Sequence, residues 1–283
     1  MKNNDRHMAL PTDLTLPEGI VPVDDLLRAD PSDGRPIVLV TAGESETTLE
    51  IPAGADLTLI EFFEKNADAR TEISLGPDAR FHHIRIITDG ADTTCRITQA
   101  DGSTLSLSTL VLGGNSQNSF EIDCHQGTHT SLYGLALPQG DETVGNHIRL
   151  YHKKTYGQSF QRFKYVADGH SRARFDGKII VEKDAQKIEA YQKNNNILLA
   201  DTARIETDPQ LEIYADDVRC SHGATVGQLD DTALFYMQSR GIPYRIAHKM
   251  LVRSFLDETL DGLAHIDWLH KAIEKIISKR LGQ

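Results

Sequence analysis

From Ile37 to Gly227 apolar and polar positions alternate in short runs, among them "RFHHIRIIT", "STLSLSTLVLGG", "SFEIDC" and "ARIETDPQLEIYA", separated by polar or glycine-bearing turns. Alternation with a period of two puts every second side chain on one face of an extended strand, and no part of this region sustains the stripe of a helix. The pattern predicts a β-domain of many short strands. Isoleucines recur through it. Ile73, Ile97, Ile122 and Ile148 follow one another at about 25 residues, as do Ile179 and Ile205, an interval within the roughly 20 to 50 residues of stacked repeats. Recurrence without a fixed consensus favours a coil stack, a parallel β-helix, over the sandwich or jelly roll that would show similar short strands. No six-residue repeat of the hexapeptide kind is visible.

At Asp230 the period changes. In "LDDTALFYMQSRGIPYRIAHKMLVRSFLDETLDGL" an Asp cap precedes Leu234 and Phe235, Gly241 suits the left-handed end of a first helix, and Pro243 suits the first turn of a second. In that second helix Ala247, Leu251 and Phe255 share a face with Ile246 and Met250. Ile266, Leu269, Ile273, Ile276, Ile277 and Leu281 predict a third helix. Residues 1–36, rich in Pro, Asp and Gly, read as an extended arm, 37–229 as the β-core and 230–283 as a helical region. The helices have two readings of equal weight: they cap the open end of the coil stack, or they dock a partner.

Hydrophobic residues make up 39% of the 283 and charged residues 25%, which fits a folded chain. The formal charge of −11 is unevenly placed. From Asp231 onward Lys and Arg outnumber Asp and Glu, so the β-region carries the acidity and lacks the basic face that nucleic acid requires. Neither a signal-peptide core nor a run of roughly 20 apolar residues is present, so the expectation is a cytoplasmic protein with no membrane span. Cys95, Cys124 and Cys220 are far apart with no CxxC, which excludes a disulfide framework and a self-contained zinc or iron-sulfur ligand set. There is no GxxxxGK[ST] loop and no GxSxG elbow; "LVLGGNSQNS" is too loose for a phosphate cradle.

The stretch "LEIYADDVRCSHGATVG", Leu211 to Gly227, carries the sharpest candidate chemistry. As a strand it sends Val218, Cys220, His222, Ala224 and Val226 to one side, with Cys220 and His222 about 6.5 to 7 Å apart at the backbone. That spacing lets a thiolate and an imidazole converge on one metal ion, and equally suits a buried thiol beside a hydrogen-bonded core histidine. Two ligands do not complete a site, so any metal here borrows the rest from elsewhere or from another subunit. Cys124 falls with Phe120 and Ile122, and Cys95 with Ile97, as core. His125 points opposite to Cys124. The remaining histidines of the β-region, His82, His83, His129, His147, His152 and His170, read mostly as surface or turn residues, and "RLYHKKTYGQSFQRFKYV" as a one-sided strand rather than a ligand groove.

Three blocks, "FDGKIIVEKDAQKIEAYQKNNNILL", "ARIETDPQLEIYADDVRCSHGATVGQLDD" and "LFYMQSRGI", resemble the SufD-type members of the SufB/SufD family of the SUF iron-sulfur cluster assembly system, over about 110 residues from His152 to Gly262. The resemblance implies a right-handed parallel β-helix followed by C-terminal helices, and a non-catalytic scaffold role. It further implies a SufB-type partner joined through the β-helices and a SufC-type ABC ATPase held by the helices, so that the missing Walker loop lies in a partner. Cys220 and His222 match the family's Cys-Ser-His motif where the two β-helices meet, with His222 the better candidate ligand of a transient iron-sulfur cluster completed by the partner. A homodimer and a flavin in the complex come with the resemblance but attach to no residue. The family's longer N-terminal helical region has no counterpart before Ile37, so its contacts and the sulfur-donor surface are not carried over. The competing readings are a secreted β-helix enzyme acting on polysaccharides, which would need clustered carboxylates in a groove, and a plain binding module with both residues buried.

Overall fold

The computed structural model describes residues 36–260, 263 and 266–282; the arm expected over residues 1–36 lies outside them except for Pro36. In chain order the strands are β1 Ile37–Thr41, β2 Glu44–Ile51, β3 Asp56–Phe63, β4 Ala67–Leu75, β5 Arg80–Ile87, β6 Ala91–Gln99, β7 Thr104–Val111, β8 Ser116–Cys124, β9 His129–Ala136, β10 Thr143–His152, β11 Gln158–Ala167, β12 Arg172–Val181, β13 Ile188–Leu198, β14 Arg204–Ile213 and β15 Val218–Gly227. The odd-numbered strands form an eight-stranded sheet, the even-numbered ones a seven-stranded sheet, and each neighbouring pair is parallel. Each odd–even pair is one coil of a two-sheet parallel β-helix, the architecture the alternation predicts.

Residues pointing between the sheets stack in columns. Leu49, Ile73, Ile97, Ile122, Leu150, Ile179 and Leu211 occupy one position of seven successive coils. The sequence intervals are thus right through Ile122 and wrong beyond it: Ile148 stands opposite Phe120, and Ile205 opposite Ala173. The coil lengthens, with strands of 8 residues in β3 and 11 in β13. Adjacent inward positions are interchangeable to isoleucine, so the recurring letter drifted off the column. Burying each such side chain contributes about 1.5–3 kcal/mol, and the column continues through every coil.

Three helices follow, α1 Asp231–Ser239, α2 Tyr244–Leu260 and α3 Asp267–Arg280. The Asp230 side chain accepts from the Thr232 and Ala233 amides at 2.8 and 3.3 Å, as the cap signal requires. Gly241 ends α1 with φ +85°, where a Cβ would be strained. The capping reading fails. Val252, Leu256 and Ile273 pack with Val38, Ile60, Ile84, Leu110 and Leu135 on the outer face of the eight-stranded sheet, not over an end of the stack. The reason lies in the strands: "LIEFF" and "IRII" are apolar on both faces, so the sheet's outside needs a cover. Ile246 and Met250 do not share the buried face with Ala247 and remain exposed.

Two polar clamps fix this layer. Buried Lys164 on β11 donates to the Phe255 carbonyl and to Glu258 Oε2, both at 2.7 Å. Arg280 on α3 donates through Nε to the Leu137 carbonyl at 2.9 Å and pairs with Glu142, whose Oε1 also accepts from the Gly114 amide. The "LVLGG" turn is thus a seat for α3: a Cβ on Gly113 would stand 2.9 Å from Arg280 Nη1.

Candidate functional site

Cys220 and His222 lie on the last strand of the stack. β15 pairs with β13 in the register Ala190↔Cys220 and Gln192↔His222, and among the described residues no strand pairs with its other side. Cys220 ends the inward column of Leu57, Phe81, Leu105, Thr130, Ser159 and Ala190. His222 ends the column of Leu59, His83, Leu107, Leu132, Gln161 and Gln192. Both side chains therefore occupy interior positions on a coil that has no successor among the described residues. Cys220 is half-buried and packs on the apolar core, while His222, Ala224 and Val226 are exposed. The pair faces one way, as the strand pattern predicts, and only the thiol touches the core.

Burial pushes the Cys220 thiol up, opposed by a hydrogen bond with the Ala190 backbone. Cys95 and Cys124, fully buried as expected, are pushed up by burial to about 12 and are chemically quiet. No group of three or more His, Cys, Asp or Glu side chains able to hold a metal ion exists among the described residues. Cys220 and His222 are two potential donor side chains on one face of β15.

Beneath β15 the interior turns from apolar to polar. Gln192, Asn194 and Asn196 of β13 point inward under His222, Ala224 and Val226. Gln192 Nε2 donates to Gln161 Oε1 at 2.8 Å, and Asn196 Nδ2 donates to Asn194 Oδ1 at 2.7 Å and to the Thr225 carbonyl at 3.1 Å. Sequence reasoning missed this ladder, although "YQKNNNILL" alternates Gln, Asn and Asn in inward phase.

It also missed a buried cluster near the other end. Glu61 accepts from Thr41 Oγ1 at 2.6 Å and from His83 Nε2 at 2.8 Å, with Arg85 Nε 3.8 Å away. Burial alone would raise the Glu61 carboxyl, but the His83 and Thr41 hydrogen bonds and the Arg85 charge hold it below the usual range. Burial keeps His83 neutral against the pull of Glu61. Arg85 stands over the Phe63 and Phe120 rings at 4.9 and 5.1 Å. The signal was available: in "DLTLIEFF" Glu61 falls in phase with Leu57, Leu59 and Phe63.

The histidines divide accordingly. His83 and His152 are buried, against the expectation of surface residues, because each sits in an inward column; His147 is outward and bonds Asp176 at 2.9 Å. "RLYHKKTYGQSFQRFKYV" is not one strand but parts of β10 and β11 around a turn, with Phe163 and Tyr165 in the core and Tyr156 and Phe160 exposed. A second exposed surface lies on the helices. Phe235, Tyr236, Tyr244, Ile246 and Met250 show 45–73% of their surface, and α1 buries only Leu234. No helix among the described residues is long and apolar enough to cross a membrane.

These features define a two-sheet parallel β-helix with Cys220 and His222 on its last strand and a helical layer along one sheet. The model of the SUF system FeS cluster assembly SufBD core domain matches residues 40–255, and the chain belongs to that family, as a protein of the SufD type. It is 32% identical over 86% of its length to the iron-sulfur cluster assembly protein SufD of Escherichia coli strain K12, and covers 60% of that relative. An iron-sulfur cluster assembly SufBD family protein of Synechocystis sp. is 34% identical over 68% of the chain, which covers 44% of it. SufD of Bacillus subtilis strain 168 is 26% identical over 64% of the chain. The chain thus spans about half the length of these curated relatives.

Proposed function

We propose that this chain is a non-catalytic, cytoplasmic scaffold subunit in a SufB–SufC–SufD-type complex. Cys220 and His222 form one half of a transient iron-sulfur cluster site whose other ligands come from a SufB-type partner. The observation that carries the reading is the placement of a thiol and an imidazole in interior columns of a strand that lacks a next neighbour. A partner's terminal strand set against β15 would continue the sheet and bring its own donors over the half-site. The cluster is cargo, built and passed on, and two donors from this chain suit a species that must leave. The exposed aromatic surface of α1 and α2 is the docking face for a SufC-type ATPase, whose ATP-driven movement reaches the coils through the Lys164–Glu258 clamp. Family membership supports involvement with iron-sulfur clusters. No residue of this chain is assigned to flavin, and a homodimer would use the same β15 edge.

The test is anaerobic reconstitution with the SufB-type and SufC-type partners. A His222→Ala chain should assemble into the complex, since His222 is exposed, yet accumulate at least about ten-fold less iron and sulfide, because losing a ligand costs no less than the roughly 10–100-fold of losing a ligand's hydrogen-bond partner. A complex that forms and loads normally refutes the ligand role.

A further inference from the structure

The polar column under His222 ends on an atom without a partner. Gln192 is in register with His222 on the neighbouring strand and is 1% exposed. Its Nε2 is spent on Gln161 Oε1 at 2.8 Å, while its Oε1 is buried and accepts no hydrogen bond. The amide's place is built by the opposite sheet: Gly177 is inward on β12, and a Cβ there would stand 2.5 Å from Gln192 Nε2. His222, for its part, makes no side-chain hydrogen bond among the described residues. In-register neighbours in a sheet are about 4.8 Å apart, within reach of one rotation of the imidazole. A buried acceptor that lacks a donor thus adjoins a donor that lacks an acceptor, and leaving the acceptor unmade is unfavourable.

We propose that Gln192 is the positioning residue of His222: its Oε1 accepts from one imidazole N–H, fixes a single tautomer and directs the lone pair of the other nitrogen out of the open end. This rests on the reading of His222 as a cluster ligand. Metal-binding histidines generally donate their second N–H to such an oxygen, which sets the ring's orientation and basicity. Gln161 Oε1 accepts from the Gln192 NH₂ at 2.8 Å, and the buried Gln161 Nε2 makes no hydrogen bond to the Gln192 oxygen, which stays open to the ring.

The experiment uses the full chain with ring-15N histidine at about pH 8, above the usual imidazole range, with His222→Gln supplying the assignment. Wild-type His222 should show one tautomer. Gln192→Met, which keeps the volume and removes the acceptor, should give the averaged shifts of a free imidazole, and Gln192→Glu, which restores an acceptor, should recover the single tautomer. Gly177→Ala leaves Gln192 in place but crowds its amide, and should release the tautomer as well if Gln192→Met does not fold. Unchanged ring shifts in the folded variants overturn the proposal. In the reconstituted complex Gln192→Met should lower iron and sulfide accumulation about ten-fold, with Gln192→Glu restoring it; normal loading of Gln192→Met overturns the functional part. The tautomer is read without iron, so a fixed ring in a chain whose His222→Ala variant loads normally would refute the ligand role and leave the positioning intact.

Discussion

His152 is sealed in the stack with Nε2 against Ser159 Oγ at 2.9 Å and Nδ1 bonded to nothing, and burial pushes its pKa down to about 4. The unfolded chain therefore takes up a proton near pH 6.5 that the folded chain refuses until about pH 4. Stability is complete above pH 6.5 and falls as acid is added through that window, by about 3 kcal/mol for this residue. His83 acts in the same direction, and Glu61, held down by its partners, contributes stability that is lost as pH falls through its folded value. His152→Gln retains a polar partner for Ser159 and removes the titrating ring. Urea unfolding between pH 7 and 4.5 should be flatter in the variant by most of that amount, and parallel profiles would count against the assignment. Inward phase was legible for Cys95, Cys124, Cys220 and His222, because alternation fixes direction. The same phase places His83, His152 and Glu61 inward, but a polar letter in an inward slot does not by itself distinguish a buried, hydrogen-bonded group from a turn or surface residue. Exposure of His222 was not legible, because no local pattern says which coil is the last.

Among the elements, the strands were legible through their period and the helices through their caps, Asp230 and Gly241. The side of the sheet that the helices cover was not, because it depends on which strands are apolar on both faces across distant coils. That packing has a consequence for α1. Held by Leu234 and by its contact with α2, it leaves Phe235 and Tyr236 exposed, as are Tyr244, Ile246 and Met250 on α2, an apolar set without a cover among the described residues. Large aromatic side chains grouped on a surface are the usual anchors of a protein contact, each worth about 2 kcal/mol or more when central. Phe235→Ser with Tyr244→Ser should weaken binding of the SufC-type ATPase at least about 100-fold by calorimetry. The thermal midpoint should stay within about 2 °C, since both side chains project into solvent. Tight binding by the double variant would move the docking face elsewhere.

For the molecule as a whole, the two ends of the stack pose different problems. A terminal coil exposes both a strand edge and the interior columns, and proteins usually blunt such an edge with lysine, proline or a bulge. β15 does none of this. "VRCSHGATVG" is flat and small-sided, with Val226 42% exposed and one charged residue, Arg219, whose partner Glu189 lies on β13. A ten-residue strand is about 33 Å long, and two sheets with their side chains are about 20 Å deep, so the end face offers about 650 Å², near the roughly 800 Å² per partner of a standard interface. Area of that size suits one specific partner, and on the proposed reading that partner is another β-helix end paired with the unpaired backbone groups of this edge. A charge placed in the interior column of that face would be desolvated on pairing yet solvated in the isolated chain. Val226→Glu should therefore leave urea stability within about 0.5 kcal/mol and weaken association with the SufB-type partner at least about 100-fold, measured by sedimentation at fixed salt. The same substitution should suppress any self-association, because a homodimer would meet at the same edge. Association of Val226→Glu at wild-type strength would show that the open end is not where the two β-helices meet, and would remove the half-site from the interface with it.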